Sequence, residues 1–203
     1  MKNGTKRAIG IGILAALTGL TFLTSHIRKT ACEKKYEGYF DMLEYAQYTL
    51  NPKQALATLD SIIVPNDCLC DQEARQIEFQ KYAEKAYFFS GVFNEKSPPN
   101  LDSTILYCNK ALALADKMKK KNLYVTVGDI YLLMGLTYEK IGDCKNALSY
   151  ADKAIGFCKS EEDMLTMNNA LSIKVNCLKK LGRAEEVKSL EQQVNSLQKK
   201  IFK

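Results

Sequence analysis

The chain has 203 residues, no Trp, four Pro and eleven Gly, with long runs of strong helix formers, which suits one all-α domain with a core of its own. Its net charge is +6, but Lys2, Lys6, Arg7, Arg28 and Lys29 stand in residues 1–29 with no acidic residue beside them, so 24 basic and 23 acidic residues remain elsewhere. A body with a net charge of +1 lacks the electrostatic footprint of a nucleic-acid binder, and no nucleic-acid partner is expected.

Residues 8–27, AIGIGILAALTGLTFLTSHI, contain no Asp, Glu, Lys or Arg. As a helix, 20 residues reach about 30 Å, the hydrocarbon thickness of a bilayer. The chain therefore divides into an N-terminal membrane anchor or signal segment, 1–29, and a body, 30–203. An uncleaved anchor is the preferred reading. A cleaved signal peptide is the alternative, but no clear small-x-small site follows the apolar run. Cys32 follows Lys-Thr-Ala, and a lipoprotein signal prefers an aliphatic residue where Lys29 stands. Basic residues flank both sides of the run, so the positive-inside rule gives little contrast. The short basic tail before the run looks like an export signal, and the body is expected outside the cytoplasm, in the cell envelope. His26, the only histidine, lies in this segment. The body thus lacks Ser-His or Cys-His pairs and histidine metal ligands. No carboxylate or lysine motif replaces them, so neither an enzyme nor a cofactor is expected.

The first helix pair spans about 33–64. Tyr36, Phe40, Leu43 and Leu50 mark one helix. Asn51 caps the next, Pro52 fits its first turn, and Ala55, Leu59 and Ile62 share its apolar face. A loop covers 66–71. A third helix is expected over about 71–93, with Ile77, Phe79, Tyr82, Ala86, Phe89 and Phe93 on one side. Pro98-Pro99 bars its continuation. Asn100 or Asp102 starts a fourth, with Ile105, Cys108, Ala111, Leu112 and Ala115 facing inward.

A third pair begins near Asn122. Within it, Tyr131, Met134, Gly135 and Tyr138 share one helical face. Gly142 supplies a left-handed C-cap, Asp143 an N-cap, and Ala147, Ala151 and Ala154 form a small face on the next helix. Such a pair cannot cover its own apolar faces and must stack on neighbours. The stretch resembles a tetratricopeptide repeat, whose pattern spaces an aromatic, Leu-Gly, Tyr, Gly, Tyr, Ala, Phe, Ala and a late Pro over about 34 residues. Tyr131, Gly135, Tyr138, Gly142, Ala147 and Ala154 match. Met134, Cys144 and Ala151 replace the Leu, the second Tyr and the Phe, and Lys159 stands near the place of the missing Pro. Residues 51–62, NPKQALATLDSI, are similar to the second helix of repeats in bacterial cell-envelope tetratricopeptide proteins.

Ser160 caps a seventh helix in this reading, with Asp163 completing a capping box, and the helix runs to Leu181 before Gly182. Gly142 and Gly182 are 40 residues apart, longer than the family period. In the eighth helix Val187, Leu190, Val194, Leu197 and Ile201 follow a heptad pattern for only about two heptads. A capping helix with a polar outer face is the preferred reading; homodimerisation through this C-terminal helix is the alternative. Cys144, Cys158 and Cys177 read as small buried hydrophobes. Cys68 and Cys70, in a loop, read as the exposed pair.

The resemblance implies a right-handed superhelix of about four stacked hairpins, with the first helix of each pair lining a concave groove. The groove-facing positions are then Asp129, Leu132, Leu136 and Lys140 in the third pair and Asn169, Ser172, Asn176 and Lys179 in the fourth. Asn169, Ser172 and Asn176 form a polar stripe suited to a peptide backbone. The Lys-Asn clamp that some family members use on a C-terminal carboxylate is not reproduced. The implied function is a membrane-anchored scaffold or adaptor that binds a protein or peptide at the cell envelope. The alternatives are an extracytoplasmic sensor acting with a separate signalling protein, and an N-anchored cytosolic receptor.

Overall fold

The computed structural model describes residues 31, 32, 34–46, 52–65, 70–91, 99–118, 125–158 and 163–201. The apolar stretch 8–27, the boundary near residue 29, and Asn51, Cys68, Phe93, Asn122 and Ser160 lie outside them. All regular elements among the described residues are helical. They are α1, over 34–46, then α2 Pro52–Ser61, α3 Asp71–Ser90, α4 Leu101–Ala115, α5 Val127–Lys140, α6 Cys144–Phe157, α7 Met164–Lys180 and α8 Ala184–Ile201. Consecutive helices pair as hairpins, and α5 also packs on α3 and on α7.

Helix ends follow local chemistry. α3 stops at Ser90 because Gly91 takes φ 63°, a left-handed cap that the sequence reading, with its end at residue 93, overlooked. Asn100 caps α4 by accepting the Ser103 N–H at 3.0 Å. Thr126 and Asp129 form a full capping box at the start of α5, where the expected start lay near Asn122. Asp143 caps α6 through the Asn146 N–H, which holds its carboxyl below the usual carboxylate range. α7 runs from Met164, and Asp163 before it makes no side-chain bond to the first turn; the expected capping box turns on Ser160, outside the described residues. Gly142 and Gly182 turn the chain at φ 84° and 71°.

The cores lie between successive hairpins. Tyr36, Leu43, Ala46, Leu59, Ile62 and Ile77 bury the first pair against α3. Cys32 and Cys70 close a disulfide at the edge of this cluster. This reverses the expectation for Cys70, which is 5 % exposed rather than free on a loop. Lys85, itself buried, donates to Asp60 and so ties α3 to α2. Phe79, Ala83, Cys108 and Ala111 pack against Ile130, Leu133 and Met134 to join the second hairpin to the third. Ala147, Ala151 and Ala154 are fully buried and meet Ala170, Ile173 and Cys177 of α7. Small side chains are needed there. A Cβ on Gly135 would stand 3.2 Å from Ile173 Cδ1 and 3.5 Å from the Ala151 nitrogen. α8 lays Val187 and, beside it, Leu190 and Val194 on Val175 and Leu178 of α7, so the first half of the heptad pattern faces inward.

One packing device recurs. Tyr138 stacks on Tyr150 at 5.4 Å, Tyr131 lies 6.4 Å from Tyr150, and Lys153 sits over both Tyr131 and Tyr150. In the preceding hairpin Phe89 stacks on Tyr107 at 5.6 Å, Tyr82 lies 6.2 Å away, and Lys110 sits over Tyr82 and Tyr107. The two ladders match residue for residue: each joins a first helix to its second, with a cation on the ring faces.

Ala147→Leu forces extra methylenes into the contact of α6 with its neighbours and is expected to cost about 1–3 kcal/mol. Thermal unfolding by circular dichroism checks this, and an unchanged melting temperature would remove Ala147 from that contact.

Candidate functional site

The first helices of the last three hairpins, α3, α5 and α7, adjoin one another and are tied by polar side chains. Lys140 of α5 donates to the Gly91 carbonyl at the end of α3, at 2.5 Å. Thr166 of α7 donates to Asp129 Oδ1 of α5 at 2.6 Å. Asn176 Nδ2 of α7 donates to Glu139 Oε1 of α5 at 2.9 Å. Each bond links one repeat to the next at an exposed or half-buried position.

The eight groove positions inferred from the sequence divide among four settings. Asp129 and Lys140 are engaged in the ties just described, and Asp129 also accepts from Thr126 in the capping box. Leu132 is buried and Leu136 half-buried within the α5–α6–α7 core. Asn169 and Ser172 are half-buried on α7, with Ser172 Oγ donating to its own helix at Asn168. Asn176 and Lys179 are exposed, and Lys179 pairs with Glu191 of α8 at 2.7 Å. The structure therefore brings Ser172 and Asn176 together with residues of α8 that the sequence reading left out.

These residues line an open groove of about 430 Å³ between α7 and α8. Ser172, Val175 and Asn176 form one wall; Glu191, Val194 and Asn195 form the other. The groove has a counterpart one repeat earlier. Gly142 and Gly182 stand at the same point of their turns, and their backbone bonds agree. Asp143 N–H reaches the Tyr138 carbonyl at 2.9 Å, and Arg183 N–H the Leu178 carbonyl at 3.0 Å. Carried back over those 40 residues, the groove positions become Leu132, Gly135 and Leu136 on α5 and Ala151, Ala154 and Ile155 on α6. That surface receives α7. This groove thus has the place of a helix seat, but where the earlier lining is apolar throughout, four of its six lining residues carry hydroxyl, amide or carboxylate groups.

Electrostatics sharpen two other places. Glu84 of α3 is 8 % exposed, and burial raises its carboxyl from 4.5 to about 7. Burial likewise raises the hydroxyl of Tyr87, and the nearby carboxylates of Asp129 and Glu84 push it further. Cys108 and Cys177 are buried thiols pushed up to about 12, so neither is a reactive thiolate near neutral pH. Cys144 is buried as expected, whereas Cys158 is half-buried just past the end of α6, its thiol raised to about 11 by burial and by Asp163 and Asp129. Among the described residues no three His, Cys, Asp or Glu side chains converge as a metal cluster.

Compared with protein-family models, curated proteins and solved structures, the chain matches none of them.

Glu84 makes stability depend on pH in a defined direction. Its folded carboxyl holds a proton more tightly than the unfolded one, so its contribution is fully present below about pH 4.5. It declines as pH rises and is lost above pH 7. The decline amounts to about 3 kcal/mol. Glu84→Gln removes the charge at similar volume, and denaturant titrations at pH 5 and pH 8 are expected to show the variant gaining relative to the wild type at the higher pH. Equal pH dependence in both proteins would place this titration outside the stability of the fold.

Proposed function

We propose that the chain is a helical-repeat scaffold of the tetratricopeptide kind that binds a protein or peptide partner along the face made by α3, α5 and α7. In this reading the hairpins continue as a right-handed superhelix with that face on its concave side. The observation that carries the reading is the adjacency of these first helices, joined by the Lys140–Gly91, Thr166–Asp129 and Asn176–Glu139 bonds. The bonds stiffen the face before any partner arrives, which lowers the ordering cost of binding. Asn169, Ser172 and Asn176 add amide and hydroxyl groups at helical spacing, the chemistry an extended peptide backbone needs.

The reading includes anchorage through residues 8–27 and a body outside the cytoplasm. No helix among the described residues is long and apolar enough to cross a membrane, and 8–27 lies outside them. The Cys32–Cys70 disulfide supports the extracytoplasmic placement, since such bonds persist in oxidising compartments. It also bears on the lipoprotein alternative, because a sulfur in a disulfide cannot carry a thioether-linked lipid.

Two measurements test these parts separately. Affinity capture of the full chain in mild detergent is expected to retain a protein or peptide partner. The Asn169→Ala, Asn176→Ala double variant should bind that partner roughly fivefold more weakly or worse, with its fold intact. Failure to retain a partner, or retention indifferent to the double variant, would sink the binding face. Mass spectrometry after thiol blocking in intact cells is expected to recover Cys32 and Cys70 linked. Recovery of both as free thiols would argue for a reducing compartment.

A further inference from the structure

We propose that a second copy of this chain docks its α8 into the groove between α7 and α8, forming an antiparallel two-fold pair at the end of the repeat array. Two observations on the groove lead to it. The groove occupies the position that seats α7 one repeat earlier, so its natural occupant is a helix. Its lining of Ser172, Asn176, Glu191 and Asn195 beside Val175 and Val194 calls for an occupant that supplies hydrogen bonds and charge.

The outward face of α8 meets these requirements. Val187 and Leu190 of its heptad stripe are turned onto α7, and of that stripe Val194 also lines the groove. At helical spacing Lys188, Glu191, Asn195 and Lys199 share the neighbouring face, which borders the groove. When two such faces run antiparallel about Asn195, Asn195 meets Asn195 of the second copy as an amide pair. Glu191 then lies opposite Lys199 of the second copy, and the reciprocal pair forms on the other side. Glu191 already accepts from Lys179, and its second oxygen is suited to a further cation. The arrangement closes at two copies, because each groove is filled by the helix that forms the wall of the other.

Cross-linking of the full chain in membranes tests the pair. Asn195→Cys puts a thiol on the two-fold axis, and mild oxidation is expected to give a covalent dimer several-fold above the wild-type background. Gln193→Cys, on the far side of α8, should stay at that background. In the Asn195→Cys chain, Glu191→Lys sets like charges against Lys199 and is expected to lower the yield several-fold. Adding Lys199→Glu should restore it. Equal yields from Asn195→Cys and Gln193→Cys would overturn the proposal. So would a cross-link from Asn195→Cys to a different protein, which would make that protein the occupant, or a yield indifferent to the charge reversal and its restoration.

Discussion

The close approach of α7 to the α5–α6 hairpin is the contact on which the rest of the array depends. Ile173 reaches Gly135 because no Cβ stands in its way, and the alanines of α6 keep the adjoining surface flat. A larger residue at Gly135 pushes against both Ile173 and the α6 backbone, with little room to relax. The same contact sets the register of α7 against α5. Once Ile173 is seated, Thr166 falls beside Asp129 and Asn176 beside Glu139, so one apolar contact fixes two polar ties. The face made by α5 and α7 therefore inherits its geometry from the packing beneath it.

The array is stapled differently along its length. At its start, apolar burial is joined by a disulfide and by the Lys85–Asp60 pair. The disulfide closes a loop of 38 residues and restricts the unfolded chain, which stabilises by about 2–4 kcal/mol in chain-entropy terms. In the middle, the aromatic ladders with Lys110 and Lys153 brace each hairpin. In the last hairpin aliphatic residues take their place: Leu178 and Leu190 stand where Tyr138 and Tyr150 stood. Among the described residues α8 packs on α7 through a short row of aliphatic contacts. Apolar packing thus thins toward α8 while polar lining increases.

Much of this was legible in the residues. The period of three and four in Tyr131 to Tyr138 and in Ala147 to Ala154 specifies two faces that have to meet. Gly142 and Gly182 specify the turns, because only a residue without a Cβ accepts their φ cheaply. The internal repeat of the aromatic ladder was not legible. Its first-helix members lie 49 residues apart, Tyr82 and Tyr131, and its second-helix members 43 apart, Tyr107 and Tyr150, so no single period relates them. The longer connection between α3 and α4 absorbs the difference. Gly91 was missed for a related reason: the apolar pattern runs on through Phe93, and periodicity cannot see a backbone that has already turned.

The sequence by itself determined the class of fold, the helix pairs and the small-residue faces, because these rest on local backbone preference and on spacing along one helix. Only the tertiary structure decided which polar groups are spoken for. Asp129, a groove position by spacing, is a cap and a tie between hairpins in three dimensions. Cys32 and Cys70, far apart in the chain, are bonded, and Ser172 and Asn176 find their neighbours on a helix that follows the next turn. Hydrogen bonds and disulfides between distant segments depend on distance after folding, and spacing along the chain carries no record of it.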